Sequence, residues 1–310
     1  MTETLFDAYL PLILWTSVGL VAIRFTPPAL PRLLGRVLYW FGVPWEVLAL
    51  ARQTDIDQSL GLAPIVTLAS LIVGLLLAWL ILRWLTPPAV DPAALNRAQQ
   101  GSFILAATIG NTGFVGLGII PSLIDQRYLG WAVFYSVTQN VVGTYGIGVF
   151  LASFFGRSAQ ANHWWVQLRD VATVPSLWAF ALGTLTRSLP LPAPVELGLH
   201  ASLWFVIPSA FLLMGMRLSQ LQGWKSLRQA LIPTLLKVGV LPAGVGIAAT
   251  AIGLTGDARL ALVLMAGMPS AFAGLILAEE YNLDRDLIAS SIALTTIALL
   301  FTIPLWLTVF

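Results

Sequence analysis

Two short segments place glycine or proline beside uncharged polar side chains, each at the centre of a long charge-free run. They are GNTGFVGLG, residues 110–118, and AGMPSAFAG, residues 266–274, and the runs have Asn111 and Pro269 at their midpoints. Glycine and proline weaken or interrupt the hydrogen-bond ladder of a helix, so a helix that only crosses hydrocarbon gains nothing from them. Broken helices at mid-membrane indicate a path for a solute.

The chemistry available at such breaks is the binding of an anion by backbone amides. In hydrocarbon each unpaired backbone group costs several kcal/mol, so a broken helix persists only where protein, water or ligand satisfies the freed groups. Two breaks at one depth can satisfy each other by crossing. The half-helix N-termini then point at the midplane, where they favour a carboxylate. Asn111 and Thr112 add neutral donors and acceptors.

An alternative interpretation is that the glycines form a close-packing surface between helices. Gly110, Gly113 and Gly116 recur at a spacing of three, as in small-residue packing motifs of membrane helices. Asn111 at the middle of the run argues against this interpretation, because packing needs no buried amide.

Neither charge-free run contains an acidic or basic residue. A sodium/proton antiporter is expected to place a titrating carboxylate near such a crossing. The absence counts against obligatory cation exchange. A proton or sodium ion held by neutral oxygens of Asn111, Thr112 and Ser270 stays open.

Further polar residues occur inside other apolar runs. Gln139 and Asn140 are adjacent in the apolar run at roughly 129–155, and they either face a cavity or form an interhelical hydrogen bond. Lys237 lies about six residues inside the apolar run at roughly 231–254. We favour a side chain that extends to the cytoplasmic surface over one that faces the cavity as a cation for an acidic substrate.

Four acidic residues have ordinary interpretations. Glu46 and Asp7 fall near the outer ends of their runs, where interfacial carboxylates are common. Glu279 and Glu280 directly follow the charge-free run around Pro269 and are expected to be solvated.

The composition is that of an integral membrane protein. Apolar residues make up 58% of the chain, charged residues 10%, and mean hydropathy is +0.86. The net charge of +2 and the scattered cations imply no nucleic-acid partner. With no cysteine, and with His163 and His200 far apart, we expect no metal site and no cofactor. No activated nucleophile can be assembled, so an enzyme is not expected.

Hydropathy and charge gaps predict ten membrane spans, at roughly 5–23, 33–50, 63–82, 101–124, 129–155, 174–189, 195–216, 231–254, 260–278 and 287–310. Connections after odd-numbered spans carry eleven cations and those after even-numbered spans carry four. The positive-inside rule therefore places both termini on the non-cytoplasmic side.

Five spans per half is an odd number, so the second half must be inverted relative to the first. Gly110 lies over Gly267, an offset of 157 in a chain of 310 residues. The predicted division is a first five-helix repeat at 1–157, a connecting loop at 158–170 and an inverted repeat at 171–310. The fold class is an all-α polytopic membrane protein with crossed, broken helices four and nine.

The sequence resembles the auxin efflux carrier family of prokaryotic permeases. The resemblance is carried by GNTGFVGLGIIPSLI, by MPSAFAGLILAEEYNLDRDLIASSIALTTIALLFTIPLW, by Lys237 followed by Pro242, and by the pair Pro175–Ser176. It covers essentially the whole chain.

This resemblance implies a fold shared with bile acid/sodium symporters. Spans one, two, six and seven would form a scaffold, and spans three to five with eight to ten a moving transport domain. It also implies a homodimer through the scaffold and elevator-like movement. Asn111 and Thr112 would bind substrate, Pro269 would break span nine and Gln139 would face the substrate. The candidate substrate-binding residues are Gly110, Asn111, Thr112, Gly113, Gln139, Asn140, Pro269 and Ser270.

The chain departs from the relatives at two points. The plant carriers have a proline at the break in span four, where this chain has Asn111–Thr112 flanked by glycines. The bile acid symporters use a carboxylate in span nine for sodium, and residues 268–271 offer none.

We therefore expect a secondary transporter of a small organic anion, auxin-like or carboxylate, in the cell (inner) membrane. A sodium-coupled symporter of the bile acid type and a non-transporting sensor or assembly subunit are the alternatives. The substrate, the direction of transport and the coupling ion stay open.

Overall fold

The computed structural model describes residues 2–27, 29–53, 61–85, 95–156, 164–219 and 224–310. These residues fold into α-helices joined by short connections and by wider, π-type turns. The α-helices are α1 Thr2–Ala22, α2 Leu30–Val37, α3 Val43–Gln53, α4 Leu62–Leu85, α5 Arg97–Thr108, α6 Leu117–Ile119, α7 Leu129–Thr138, α8 Val149–Gly156, α9 Trp164–Ala172, α10 Pro175–Thr186, α11 Ala193–Leu218, α12 Trp224–Leu235, α13 Leu241–Ala251, α14 Gly256–Ala266, α15 Phe272–Glu280 and α16 Arg285–Val309.

Within the described ranges, four helices are long and apolar enough to cross a membrane on their own. They are Leu62–Trp84, Ala193–Leu218, Ser226–Ala251 and Arg285–Val309. Shorter apolar helices cover Tyr9–Phe25 and Thr112–Ser122. The helices begin and end close to the predicted spans, while the division into ten spans and two inverted repeats stays a prediction. One difference is that the predicted loop at 158–170 is helical from Trp164 onward, as α9.

The outer surface of the bundle is apolar, as lipid contact requires. Trp84 is 89% exposed, Trp204 81% and Phe25 82%, and they belong to a much larger set of exposed aliphatic and aromatic side chains. A soluble protein rarely leaves so much contiguous apolar surface in water. The fold is therefore that of an all-α, polytopic membrane protein.

Wider turns interrupt several helices without breaking the chain direction. One covers Leu236–Val240 between α12 and α13, directly before Pro242. Proline has no N–H, so the carbonyl four residues earlier, that of Val238, lacks its usual donor. The indole Nε1 of Trp306 donates to this carbonyl at 3.3 Å. The same turn sets the direction of the Lys237 side chain.

Close backbone packing joins α1 to α11 and requires two glycines. A Cβ at Gly19 would lie 2.0 Å from the carbonyl oxygen of Leu212, and a Cβ at Gly215 would lie 2.0 Å from that of Thr16. Neither backbone oxygen can move aside without shifting its helix, so the two helices touch only because both side chains are absent.

We expect Gly215→Val to lower the free energy of unfolding by about 1–3 kcal/mol, because overpacking at a backbone contact forces the helices apart. Thermal unfolding in detergent measures the effect. Gly198→Ala is the matched control, since it lies in the same helix with open space around its Cβ. Equal melting temperatures for the two variants would contradict the role of the close contact.

The helices pack in two groups. In the first, α1 packs on α11, α3 packs on α10, and α11 also touches α2 and α3. In the second, α4, α5, α7 and α8 pack together, α12 packs on α16, α13 on α14, and α16 on α5. The two interrupted helices belong to the second group.

Candidate functional site

The first predicted break begins where α5 ends at Thr108. Ile109 is extended, with φ −92° and ψ 118°, and the chain re-enters helical geometry at Thr112. The residue between the two parts, Asn111, has φ −79° and ψ 62°, which is outside the helical region. Asn111, Thr112 and Gly113 are buried. The chain is therefore interrupted at the Asn–Thr pair without a proline.

The second break lies between α14 and α15. The first of these helices ends at Ala266, and Gly267 caps it through hydrogen bonds to Met265 and Val263. Ala271, at φ −67° and ψ 134°, precedes the restart at Phe272. Pro269 lies between the two, at a position where no helical hydrogen bond is needed.

The two breaks meet and pair through their backbones. The amide of Asn111 donates to the carbonyl of Pro269 at 2.7 Å, and the amide of Ala271 donates to the carbonyl of Ile109 at 2.8 Å. Between these bonds, Gly110 and Ser270 form an antiparallel β-bridge. The pairing removes part of the cost of the broken ladders, and we refer to residues 109–112 and 267–271 as the crossover.

Polar side chains satisfy the carbonyl ends of the two broken helices. The Ser270 hydroxyl donates to Ala106 O at 2.7 Å, and Gln139 Nε2 donates to Thr108 O at 3.2 Å, both at the end of α5. Lys237 Nζ donates to Ala266 O at 2.6 Å, at the end of α14. Gln139 therefore makes an interhelical hydrogen bond, one of the two alternatives that the sequence left open.

Just before α15, Ser270 N donates to Thr295 Oγ1 at 3.0 Å, whereas the helix Thr112–Ser122 keeps a polar group without a partner at its amide end. The first amides of a helix have no intrahelical acceptor. At the helix Thr112–Ser122, the hydroxyl of Thr112 is fully buried and has no hydrogen-bond partner. The next residue, Gly113, has no side chain to cover the backbone at the break. At the crossover, side-chain donors therefore satisfy carbonyls at the ends of the broken helices, whereas the Thr112 hydroxyl has no hydrogen-bond partner.

Lys237 does not extend to the surface, so the favoured prediction was wrong. Its side chain is 2% exposed. A Cβ at Gly110 would lie 2.9 Å from Lys237 Nζ, which shows how closely the ammonium approaches the crossover. The wide turn at Leu236–Val240 directs the side chain inward, where the carbonyl end of α14 attracts a cation.

The glycines of the first break each face a different neighbour. Gly110 faces Lys237, a Cβ at Gly113 would lie 3.1 Å from Asn140 Nδ2, and one at Gly116 would lie 2.8 Å from Met265 Sδ. A packing surface would instead place all three against one partner helix. Asn140 Nδ2 also donates to Ser136 Oγ, one turn earlier in its own helix, at 3.3 Å.

Glu46 is buried beside the crossover, so its predicted interfacial position was wrong. It is 3% exposed, and its Oε1 would lie 3.2 Å from a Cβ at Gly113. It lies in the first turn of α3, where packing against other helices buries it. The signal that could have identified it was a carboxylate inside an apolar segment, which is costly and therefore commonly functional.

Glu279 is not a freely solvated carboxylate as predicted. It forms an ion pair with Arg217 at 2.8 Å, and the two side chains are only 17% and 16% exposed. The bridge joins the end of α15 to the end of α11. Packing of these two helix ends brings the charges together, and no sequence pattern relates them.

A cavity of about 410 Å³ opens between the two helix groups beside α15. The residues that line it include Arg36, Tyr39, Arg169, Thr173, Ile276, Glu280 and Tyr281. Cations and carboxylates are both present, so the cavity is polar at its wall and suits hydrated solutes.

Three predicted features lie outside what the structure describes. They are His163 and the side chains of Asp7 and His200. Among the residues that the structure does describe, no group of three or more His, Asp or Glu is arranged to hold a metal ion.

The fold and the crossover define the class of protein, which is a multi-pass membrane protein with two interrupted helices paired in its interior. A family model described as "Membrane transport protein" matches residues 165–307. An uncharacterized transporter of Methanothermobacter thermautotrophicus is 26% identical over 219 residues, covering 68% of this chain and 68% of its own length. One of Methanocaldococcus jannaschii is 27% identical over 217 residues, covering 68% and 69%.

Together these matches support a membrane transport protein family of the auxin efflux carrier type, the family that the sequence predicts. The similarity of the chain is thus to membrane transporters of that type. Such relatives point to a carrier and not to an enzyme.

Proposed function

We propose that the protein is a secondary carrier of a small organic anion, which binds at the crossover. The observation that carries the proposal is the asymmetry of the broken helices. Their carbonyl ends are occupied by Ser270, Gln139 and Lys237, while Thr112 at an amide end has a hydroxyl without a partner. Amide ends attract carboxylates, and carbonyl ends would repel them.

In this proposal Asn111 and Thr112 bind the substrate carboxylate, and Gly113 lets it approach the backbone. Lys237 supplies the positive charge that balances the anion in a site of low dielectric constant. Asn140 lies beside Gly113 and completes the donor set. Gln139, Pro269 and Ser270 hold the crossover in shape through the hydrogen bonds described above.

The proposed mechanism is elevator-type alternating access within ten helices and two inverted repeats. The antiparallel pairing of Gly110 with Ser270 supports inversion, since equivalent segments of an inverted pair run in opposite directions. The first helix group would be the scaffold and the second the transport domain. The polar cavity between them would be the entrance to the site from the cytoplasmic side.

The orientation and assembly are proposals as well. Arg32, Arg36 and Arg285 come from two separate connections predicted to be cytoplasmic, and they line one cavity of about 260 Å³. This clustering supports non-cytoplasmic termini in an inner membrane. Exposed Phe41, Trp45 and Phe205 on the scaffold group are suited to a homodimer interface.

The experiment that tests the function is flux of labelled mono- and dicarboxylates into proteoliposomes, with membrane potential, pH gradient and sodium varied independently. We expect saturable flux of at least one organic anion above that of empty liposomes. Uptake that collapses without sodium would instead favour the bile acid type of symport. Rates equal to empty liposomes across the panel would contradict the carrier or its substrate class.

A further inference from the structure

A buried carboxylate lies against the amide end at which the substrate is proposed to bind. Glu46 belongs to the first turn of α3, and its Oε1 and Asn140 Nδ2 would both lie within 3.2 Å of a Cβ at Gly113. Gly113 is one residue beyond Thr112, whose buried hydroxyl has no partner. The carboxylate therefore points at the place where an anion would sit.

The described residues around Glu46 provide no cation paired with it. In the described part of the chain it takes part in no ion pair. The elements packed on α3 are the turn Leu38–Gly42, α7, α10 and α11. The first two contribute the phenols of Tyr39 and Tyr135, and α10 contributes no titratable group.

The charged groups of α11 lie at its ends, with Glu196 in the first turn and Arg217 paired with Glu279 in the last. The phenol of Tyr145, in the turn Gln139–Gly148, interacts electrostatically with Glu46 and carries no positive charge. Lys237 is a cation at the crossover, but it lies on the Gly110 side and donates to Ala266 O.

Two negative charges cannot share this position. A substrate carboxylate at the amide end of the helix Thr112–Ser122 would lie beside Glu46 in a buried site, where like charges repel strongly. A protonated Glu46 removes the repulsion and gains a donor for the anion. One of the two groups must therefore be neutral when the substrate is bound.

The contact also joins the two helix groups. Glu46 lies on α3 of the proposed scaffold, whereas Gly113 and Asn140 lie on the proposed transport domain. Movement of the transport domain would separate them, so this contact belongs to one of the two access states. A group on the fixed part can then exchange its proton while the substrate site is elsewhere.

Resting on the proposed function, we propose that Glu46 is the proton-coupling residue of the carrier, protonated when a substrate anion enters the crossover in the access state in which the two are in contact. One monocarboxylate and one proton then enter from the same side and leave on the other. Before the transport domain moves, the proton passes from Glu46 to the substrate carboxylate, which crosses as the neutral acid and releases the proton on the other side, so the cycle is electroneutral. No further co-reactant is needed.

The test uses the full chain in proteoliposomes, with a labelled monocarboxylate that wild type transports and a pH-sensitive dye inside. Wild type should accumulate substrate when the proton gradient is inward, with one proton entering per anion. Glu46→Gln mimics the protonated acid, so it should keep counterflow exchange, lose its dependence on pH and lose accumulation. Glu196→Gln removes an exposed carboxylate and should behave as wild type.

The outcomes separate the two proposals. No flux of any anion by wild type contradicts the carrier itself, and the coupling with it. Wild-type flux without proton entry overturns the role of Glu46 and leaves the carrier intact. The same holds if Glu46→Gln still accumulates substrate, or if it is folded by melting temperature and gel filtration yet has no counterflow. Should the variant not fold, the wild-type proton-to-anion ratio decides alone.

Discussion

Asn111→Ala and Thr112→Val should each lower anion flux about tenfold or more, since a hydrogen bond to a charged group contributes roughly 1.5–3 kcal/mol. Both side chains are buried at the break, and the Thr112 hydroxyl has no protein partner that the substitution would disturb. The backbone bond from Asn111 N to Pro269 O remains in either variant. The loss should therefore appear in transport and not in folding.

The measurement is initial uptake against substrate concentration in proteoliposomes, with melting temperature as the check on folding. Thr67→Val is the matched control, because Thr67 is equally buried and its hydroxyl bonds only to Ala63 O within its own helix. Pro269→Ala should also reduce flux more than Glu279→Gln. If Asn111→Ala and the controls transport alike, the crossover is not the binding site.

Lys237→Met should abolish flux, because it removes two contributions at once. The ammonium is the buried cation beside Gly110, and it is also the donor to the carbonyl of Ala266. A buried carbonyl left without a donor costs about 1–3 kcal/mol, so the variant should also be less stable. The substrate anion would in addition face a site without a compensating charge.

Lys237→Gln separates the two contributions. Its amide keeps a donor toward Ala266 O but carries no charge, so we expect near-normal melting temperature with flux reduced about tenfold or more, as for the loss of a charge-assisted bond. Arg228→Gln, an exposed cation in the helix that leads to Lys237, serves as the control. Wild-type flux in Lys237→Gln would show that the lysine is only a helix cap.

The crossover was predictable from sequence because its signal is local. Glycines around Asn111 and a proline at residue 269, each in a charge-free run, predict a break wherever the helix finally lies. The offset between the segments then predicts that they pair. The substrate roles of Asn111, Thr112 and their neighbours stay predictions, and the structure shows where these residues lie.

The neighbours of the crossover were not predictable in the same way. Lys237 was expected at the surface, Glu46 at the interface and Glu279 in solvent, and all three are largely buried. Each of these predictions rested on the distance of the charged residue from the end of its own apolar run. That distance carries no information about the wide turn before Pro242, the shortness of the second span or the position of Arg217.

Sequence alone determines that this chain is a membrane protein and where its helices weaken, because hydropathy and backbone propensity act within a few residues. Tertiary structure decided which charges face the crossover. A buried carboxylate or ammonium is positioned by the packing of helices far apart in the chain, and the cost of burial depends on what those helices bring to meet it. That is why Glu46 became a functional candidate only in the folded protein, and why only the fold decided between the two directions open to Lys237.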